Sequence, residues 1–330
     1  MNSRTLILAL LAAGAVATAL FLPRTDSASD HELVVYCAAG LKKPVENAAE
    51  RYQAETGTQV RLQFGGTGTL LSQIQVSKIG DVIIAADDGS IADAKKKDVI
   101  REVLPIAIQH PVIAVAQGNP KSIQSLADLK KDGVRLALPN PEAASIGRVT
   151  KALLGAEWDA LAAKAVVTKP TVTEIAADLT LGAVDAAIVW DATVPQFERI
   201  EAIEVPELAK HQENASAAIL ESTSHPAAAL AFARYLAAPD RGGESFAGAG
   251  FQPANGDPWQ AKPELILYSG GVNRPAIEEL VQEFADREGI AVTTVFNGCG
   301  ILCAAMKTMG DSTNPKFPDV YYACDVCFVP

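Results

Sequence analysis

Residues 64–70, FGGTGTL, set a threonine between two glycines where a strand-like run meets a helix-like one. Thr67 is expected to cap that helix, with its hydroxyl and the neighbouring N–H groups facing outward. Three further junctions have the same character. In YCAAGLKKP (36–44) small residues lead into a helix, and in NPEAASIGRV (140–149) Ser145 reads as a cap with Ile146 as the first helical residue. In PTVTEIAADL (170–179) Thr171 and Glu174 spell a capping box, with Val172 at the first helical position. Each helix start leaves N–H groups without an intrahelical partner and carries about half a positive charge from summed peptide dipoles. Four starts aimed at one cleft would hold a small dehydrated anion with no Lys or Arg. Spacing alone leaves their convergence open.

The cysteines offer a second chemistry. Cys37 stands alone, while Cys299, Cys303, Cys324 and Cys327 crowd into the C-terminal end of the chain. In an exported protein such a cluster reads first as disulfides. The C-x3-C and C-x2-C spacings also permit a four-thiolate metal site. His31, His110, His211 and His225 are scattered without ligand spacing and read as surface or junction residues. Asp87 beside Asp88 reads as a solvated strand end rather than a catalytic pair. No nucleophile–base constellation such as G-x-S-x-G occurs. The residues therefore call for no enzyme and no cofactor.

The elements that would position these groups alternate. ELVVYC, TQVRLQF, DVIIAAD, HPVIAVAQG, VRLALPN, KAVVTK and DAAIVWD read as strands. Between and after them, KKPVENAAERYQAETG, LLSQIQVSK, SIQSLADLKKDG, GRVTKALLG, TVTEIAADLTLG and HPAAALAFARYLAA read as helices. That order implies an α/β fold with mostly parallel sheets, in which ligands gather where strands end and helices begin.

The 330 residues are 49% hydrophobic and 20% charged, enough to bury a sizeable core. The formal net charge is −11 and no basic stripe stands out, which argues against a nucleic-acid partner. An acidic surface also cannot gather an anion by bulk field, so local dipoles would have to hold it. At the N-terminus, Arg4 precedes an apolar run from residue 6 to 22 and then PRTDSASD. Residues 1–29 thus read as an export signal or signal-anchor, with an Ala-x-Ala pattern at Ala17–Ala19. The run sits at the short limit for a spanning helix, which leaves an N-terminal membrane anchor open.

Residues 252–263 break the alternation, and 255–263 read as a linker. After it the opening returns. A shift of 232 places Glu32, Tyr36, Gly57, Phe64, Gly66 and Gly68 on Glu264, Tyr268, Gly289, Phe296, Gly298 and Gly300. With six more residues inserted, DVIIAAD (81–87) meets DVYYACD (319–325). Residues 264–330 therefore read as a partial second copy of the first unit. In that alignment Cys299 falls on Thr67 and Cys324 on Ala86.

From 32 to 254 the chain resembles the periplasmic molybdate/tungstate-binding proteins, solute receptors of ABC importers. The likeness rests on YCAAGL, FGGTGTLLSQI, DVIIAAD, NPEAASIGR, AAIVWDA and FARYLAAPDRGGESFAGAGF in that order. It implies a bilobal type II binding-protein fold, one lobe about 32–115 plus 215–254 and the other about 116–214. Carried over by position, the anion contacts fall on Gly40, Thr67, Ile146, Val172 and Trp190, with Ile146 and Val172 acting through backbone N–H. Gly40 stands where the family has serine, and Trp190 where it has tyrosine. Those departures leave tungstate, sulfate-like oxyanions or a bulkier guest open beside molybdate. The implied protein is periplasmic or extracytoplasmic, binds a small oxyanion and delivers it to an ABC permease in the membrane. A membrane-tethered sensor or redox module built on the cysteine cluster is the alternative, and a ferric-ion receptor is weaker, for want of a tyrosine cluster.

Overall fold

The computed structural model describes residues 32–325, so the leader expected at 1–29, His31 and Cys327 lie outside the described residues. Strand β1 (Glu32–Ala38) is buried at every position after its first, as the centre of a parallel sheet requires. Helix α1 (Lys42–Thr56) carries Pro44 in its first turn and ends at Gly57, whose φ of 77° suits the left-handed cap. Strand β2 (Gln59–Gly65), helix α2 (Thr67–Ser77) and strand β3 (Val82–Ala85) complete the unit, with β2 and β3 flanking β1 in parallel. Helix α3 (Asp88–Lys96) begins at Asp87, whose carboxylate accepts from the Ser90 N–H at 2.8 Å.

Strand β4 (Ile100–Gln109) runs almost directly into β5 (Pro111–Ala116), which belongs to another sheet. That sheet gathers β6 (Leu136–Pro139), α4 (Ser145–Leu154), α5 (Ala156–Ala162), β7 (Ala165–Lys169), α6 (Val172–Thr180), β8 (Ala186–Trp190) and β9 (Ile200–Ile203). Its strand order is β7-β6-β8-β5-β9. After α7 (Pro206–Ala209) the chain returns through β10 (Glu213–Leu220), α8 (Pro226–Ala237), α9 (Gly242–Gly248) and β11 (Gln252–Pro253) to the first sheet. That sheet reads β11-β4-β10-β3-β1-β2. Both sheets are parallel where strand–helix units succeed one another and antiparallel at the strands that cross between them. Each has its own core, Leu33, Ile84, Phe232 and Tyr235 in the first and Ile113, Leu138, Ile175 and Ile188 in the second.

A third sheet is formed by β12 (Glu264–Gly270), β13 (Ala291–Asn297) and β14 (Val320–Tyr322), all parallel, with helices α10 (Arg274–Glu288) and α11 (Cys299–Met309). Glu264 faces Ala291 as Glu32 faces Gln59, and Leu267 faces Val320 as Val35 faces Val82. The unit meets the rest through Arg234–Glu288 at 2.8 Å and an Arg287–Glu102 pair. The segment before it is docked: the Trp259 ring centroid lies 5.1 Å from that of Tyr235, and the Trp259 backbone N–H donates to the Asp240 carboxylate at 2.8 Å.

The helix expected over 122–133 does not form; only a 3-10 turn at Asp128–Lys130 does. Side chains take the backbone groups a helix would need. Asn119 accepts from the Ile123 N–H at 2.9 Å and donates to its carbonyl at 2.8 Å. Asp128 accepts from the Gln124 N–H at 2.9 Å. Asn, Asp and Ser compete with helix formation in this way. Among the described residues no helix is long and apolar enough to cross a membrane.

Candidate functional site

All five expected positions line one cavity between the two large sheets. Gly40 lies in the 3-10 turn after β1, and Thr67 is the first residue of α2. Ile146 is the second residue of α4, Val172 the first of α6, and Trp190 the last of β8. The two caps differ from expectation. Gly66 is the N-cap of α2, so Thr67 sits inside the first turn. Ala144 is the N-cap of α4, so Ser145 is the first helical residue and Ile146 the second. The reason is the turn before α4, where Asn140 accepts from the Ala144 N–H at 2.8 Å and its side chain from the Glu142 N–H at 2.9 Å. At α6 the expected cap is present: Thr171 accepts from the Glu174 N–H at 3.2 Å.

The glycines around Thr67 answer to close backbone approach. A Cβ on Gly66 would stand 2.5 Å from the Pro170 carbonyl oxygen and closer still to that of Ala143, while one on Gly68 would strike the Glu142 carbonyl. The Gly68 N–H donates to the Ala143 carbonyl at 2.9 Å, tying the α2 start to the α4 turn. At this point the two sheets thus approach each other through main chain.

No lining residue carries a charge. What the wall offers is dipoles: the first turns of α2, α4 and α6, whose leading N–H groups have no acceptor within the helix. Thr67 is 1% exposed and its hydroxyl has no hydrogen-bond partner. A buried polar group left unpaired is costly. The free volume is about 10 Å³, room for roughly one water-sized sphere. The cavity is narrow.

Three contributors escaped the sequence reading. Gln109, 2% exposed, lines the cavity and donates to the Ala86 carbonyl at 2.9 Å. Arg148, on α4, reaches across Gly89 to the fully buried Asp87 and lies 3.6 Å from Asp93, so it spans the two sheets' sides. Asp87 is therefore no solvated strand end. Thr193, three residues after Trp190, is buried with an unpartnered hydroxyl. Nothing in the local sequence distinguishes it from any other threonine.

Two of the histidines are junction residues. His110 sits at the first crossing between sheets, 3.1 Å from Asp191 and 3.2 Å from Glu204, and His211 at the second, 2.6 Å from Glu213. At the other end of the molecule Cys299 and Cys324 form a disulfide. That is the first reading of the cluster, and it takes up two of the four sulfurs that the alternative metal site of Cys299, Cys303, Cys324 and Cys327 would need. Cys303 Sγ lies 3.4 Å from the Tyr321 hydroxyl. Among the described residues no group of three or more His, Cys, Asp or Glu could hold a metal ion.

Residues 33–252 match the family model of bacterial extracellular solute-binding proteins. A putative binding protein of Haemophilus influenzae is 27% identical over 242 residues, spanning 72% of this chain and 98% of that one. The molybdate-binding protein ModA of Mycobacterium bovis is 27% identical over 243 residues, spanning 72% and 92%. The periplasmic molybdate-binding protein of Azotobacter vinelandii shares the fold, with a TM-score of 0.57 at 20% identity over 68% of this chain and 100% of that one.

Proposed function

The chain belongs to the bacterial extracellular solute-binding protein family, a family of binding proteins and not of enzymes, and from that premise we propose that it captures a tetrahedral oxyanion, molybdate- or tungstate-like, for an ABC-type permease. The observation that carries the reading is the uncharged cage: three helix starts and the orphaned Thr67 hydroxyl around one small cavity. A protein of net charge −11 repels anions at long range, so affinity has to come from dipoles at contact. Peptide N–H groups supply it best to a guest stripped of water, because low dielectric strengthens each contact.

In this reading 32–115 with 215–254 form one lobe and 116–214 the other, and the crossings near His110 and His211 act as the hinge. Gly66 and Gly68 let the lobes meet, and Arg148 with Asp87 latches them. Residues 264–330 are a partial second copy of the first lobe, a reading supported by the shared strand registers. Gly40 and Trp190 alter two walls of the cage. Each hydrogen bond to an anion lost that way costs about 1.5–3 kcal/mol, tenfold to a hundredfold in affinity, so the ranking of anions is what has to be measured.

Calorimetric titration of the full chain with sodium molybdate, tungstate, sulfate and phosphate tests the proposal. At least one should bind, and Thr67→Ala should weaken that anion by about tenfold to a hundredfold. No binding by any of the four, or unchanged binding by Thr67→Ala, overturns it.

A further inference from the structure

Among the described residues two buried hydroxyls lack any hydrogen-bond partner, those of Thr67 and Thr193. Thr67 belongs to the cage. Thr193 lies in the 3-10 turn Asp191–Gln196 that follows Trp190, is 1% exposed, and is not itself part of the cavity wall. Gly40, which lines the cavity, lies beside it. A Cβ on Gly40 would lie 3.9 Å from Thr193 Oγ1, 3.9 Å from Trp190 Cδ1 and 3.0 Å from Val172 Cγ1. The missing side chain therefore leaves a narrow space, tight against Val172 and at contact distance from Trp190 and Thr193, and the first two of these line the cage. The third is a hydroxyl with nothing to bond.

We propose that Thr193 supplies a second hydroxyl donor to the bound anion, acting through the gap that Gly40 leaves open. Its turn is anchored for this purpose. Gln196 donates to the Gly40 carbonyl at 3.2 Å and to the Ala192 carbonyl at 2.7 Å, and the Asp191 N–H donates to the His110 carbonyl at 2.9 Å. The hydroxyl thus faces the turn of Gly40 from a fixed position, paired neither with that turn nor with its own. A side chain on Gly40 would crowd Val172 and screen Thr193 from the guest, so the glycine and the threonine work as one device. An unpaired buried hydroxyl weakens the empty protein and gains its bond only when the anion arrives. That cost in the empty state separates a binding role from a packing role.

The inference rests on the oxyanion reading, and one experiment distinguishes the two. Full-chain protein, Thr193→Val and Thr193→Ser are titrated with sodium molybdate, tungstate, sulfate and phosphate, and the melting temperature of each anion-free protein is recorded. Thr193→Val keeps the shape and removes the hydroxyl. It should bind the preferred anion at least about tenfold more weakly while melting no lower than the parent without anion. Thr193→Ser should retain most of the affinity. Equal affinity in Thr193→Val and the parent overturns the role of Thr193 and leaves the oxyanion reading standing. A parallel loss of affinity and anion-free melting temperature in Thr193→Val marks a packing residue and likewise overturns it. Failure of the parent to bind any of the four anions removes the reading on which the inference rests.

Discussion

The units at 32–85 and 264–322 share one local frame and differ in what covers it. In both, a central strand pairs in parallel with two neighbours in matching register, and a helix ends at a left-handed glycine, Gly57 or Gly289. In both, a second helix starts after a glycine, Gly66 or Gly298. Yet Ala48 and Tyr52 on α1 are 0% and 2% exposed, while the corresponding Leu280 and Phe284 on α10 are 61% and 47% exposed. Helices α8 and α9 pack over α1; α10 touches α8 chiefly near its C-terminal end. At the second helix start, Thr67 turns an unpaired hydroxyl to a cavity closed by residues 142–143 and 170, whereas Cys299 is bonded to Cys324. The lesson is that a helix start encloses a cavity only where other segments pack against it. Equal position in the frame is not enough.

The comparison can be broken most forcefully at the covered helix faces. Tyr52→Ala should destabilise the protein by about 3–5 kcal/mol, the range for a large buried aromatic. Phe284→Ala, on a half-exposed ring, should cost less than about 1 kcal/mol. Urea denaturation curves of the two variants decide it, and similar costs would mean that α10 is covered in solution.

The next effect concerns the disulfide, which closes a sequence separation of 25 residues. Reducing it should cost the 264–325 unit about 3 kcal/mol. Hydrogen exchange should then rise there and stay constant over 32–85, and anion titration should be unchanged. A drop in affinity on reduction would show that the two units are coupled.

At the glycines the expected effect is smaller but local. Gly66→Ala forces a Cβ onto the Pro170 and Ala143 carbonyls and should weaken anion binding by about tenfold to a hundredfold, the equivalent of 1–3 kcal/mol of overpacking. Gly298→Ala meets only Ile301 at 3.8 Å and should change neither binding nor stability measurably.

The smallest effect is an expected silence. Cys37, fully buried, has its thiol pushed well above the ordinary value, first by desolvation and then by Glu46. The thiolate is the reactive form, so iodoacetamide at pH 8 should leave Cys37 unmodified in the folded protein while labelling Cys299 and Cys324 once they are reduced. Rapid labelling of Cys37 would show that the first core opens.

Much of this frame can be read in the chain because its causes are local. The alternation of ELVVYC and TQVRLQF, Gly57 as a stop, and the Thr171–Glu174 cap each depend on residues within a turn or two of one another. The helix assigned to 122–133 is lost for a local reason too, but one carried by side-chain bonds from Asn119 and Asp128 that hydrophobic period ignores. Strands β4 and β10 went unread because their burial comes from antiparallel pairing with each other across a hundred residues of chain.

Sequence by itself determined, to within a residue, that helices begin at Thr67, Ser145 and Val172, and which residues stand there. Only the tertiary structure decided that Thr67, Ile146 and Val172 line one cavity, that Gly40 lies beside Thr193, and that Cys299 finds Cys324. Caps and hydrophobic periods are settled by neighbours a few residues apart. Convergence, closure and pairing are settled by segments that meet only when two separate sheets are folded and brought together.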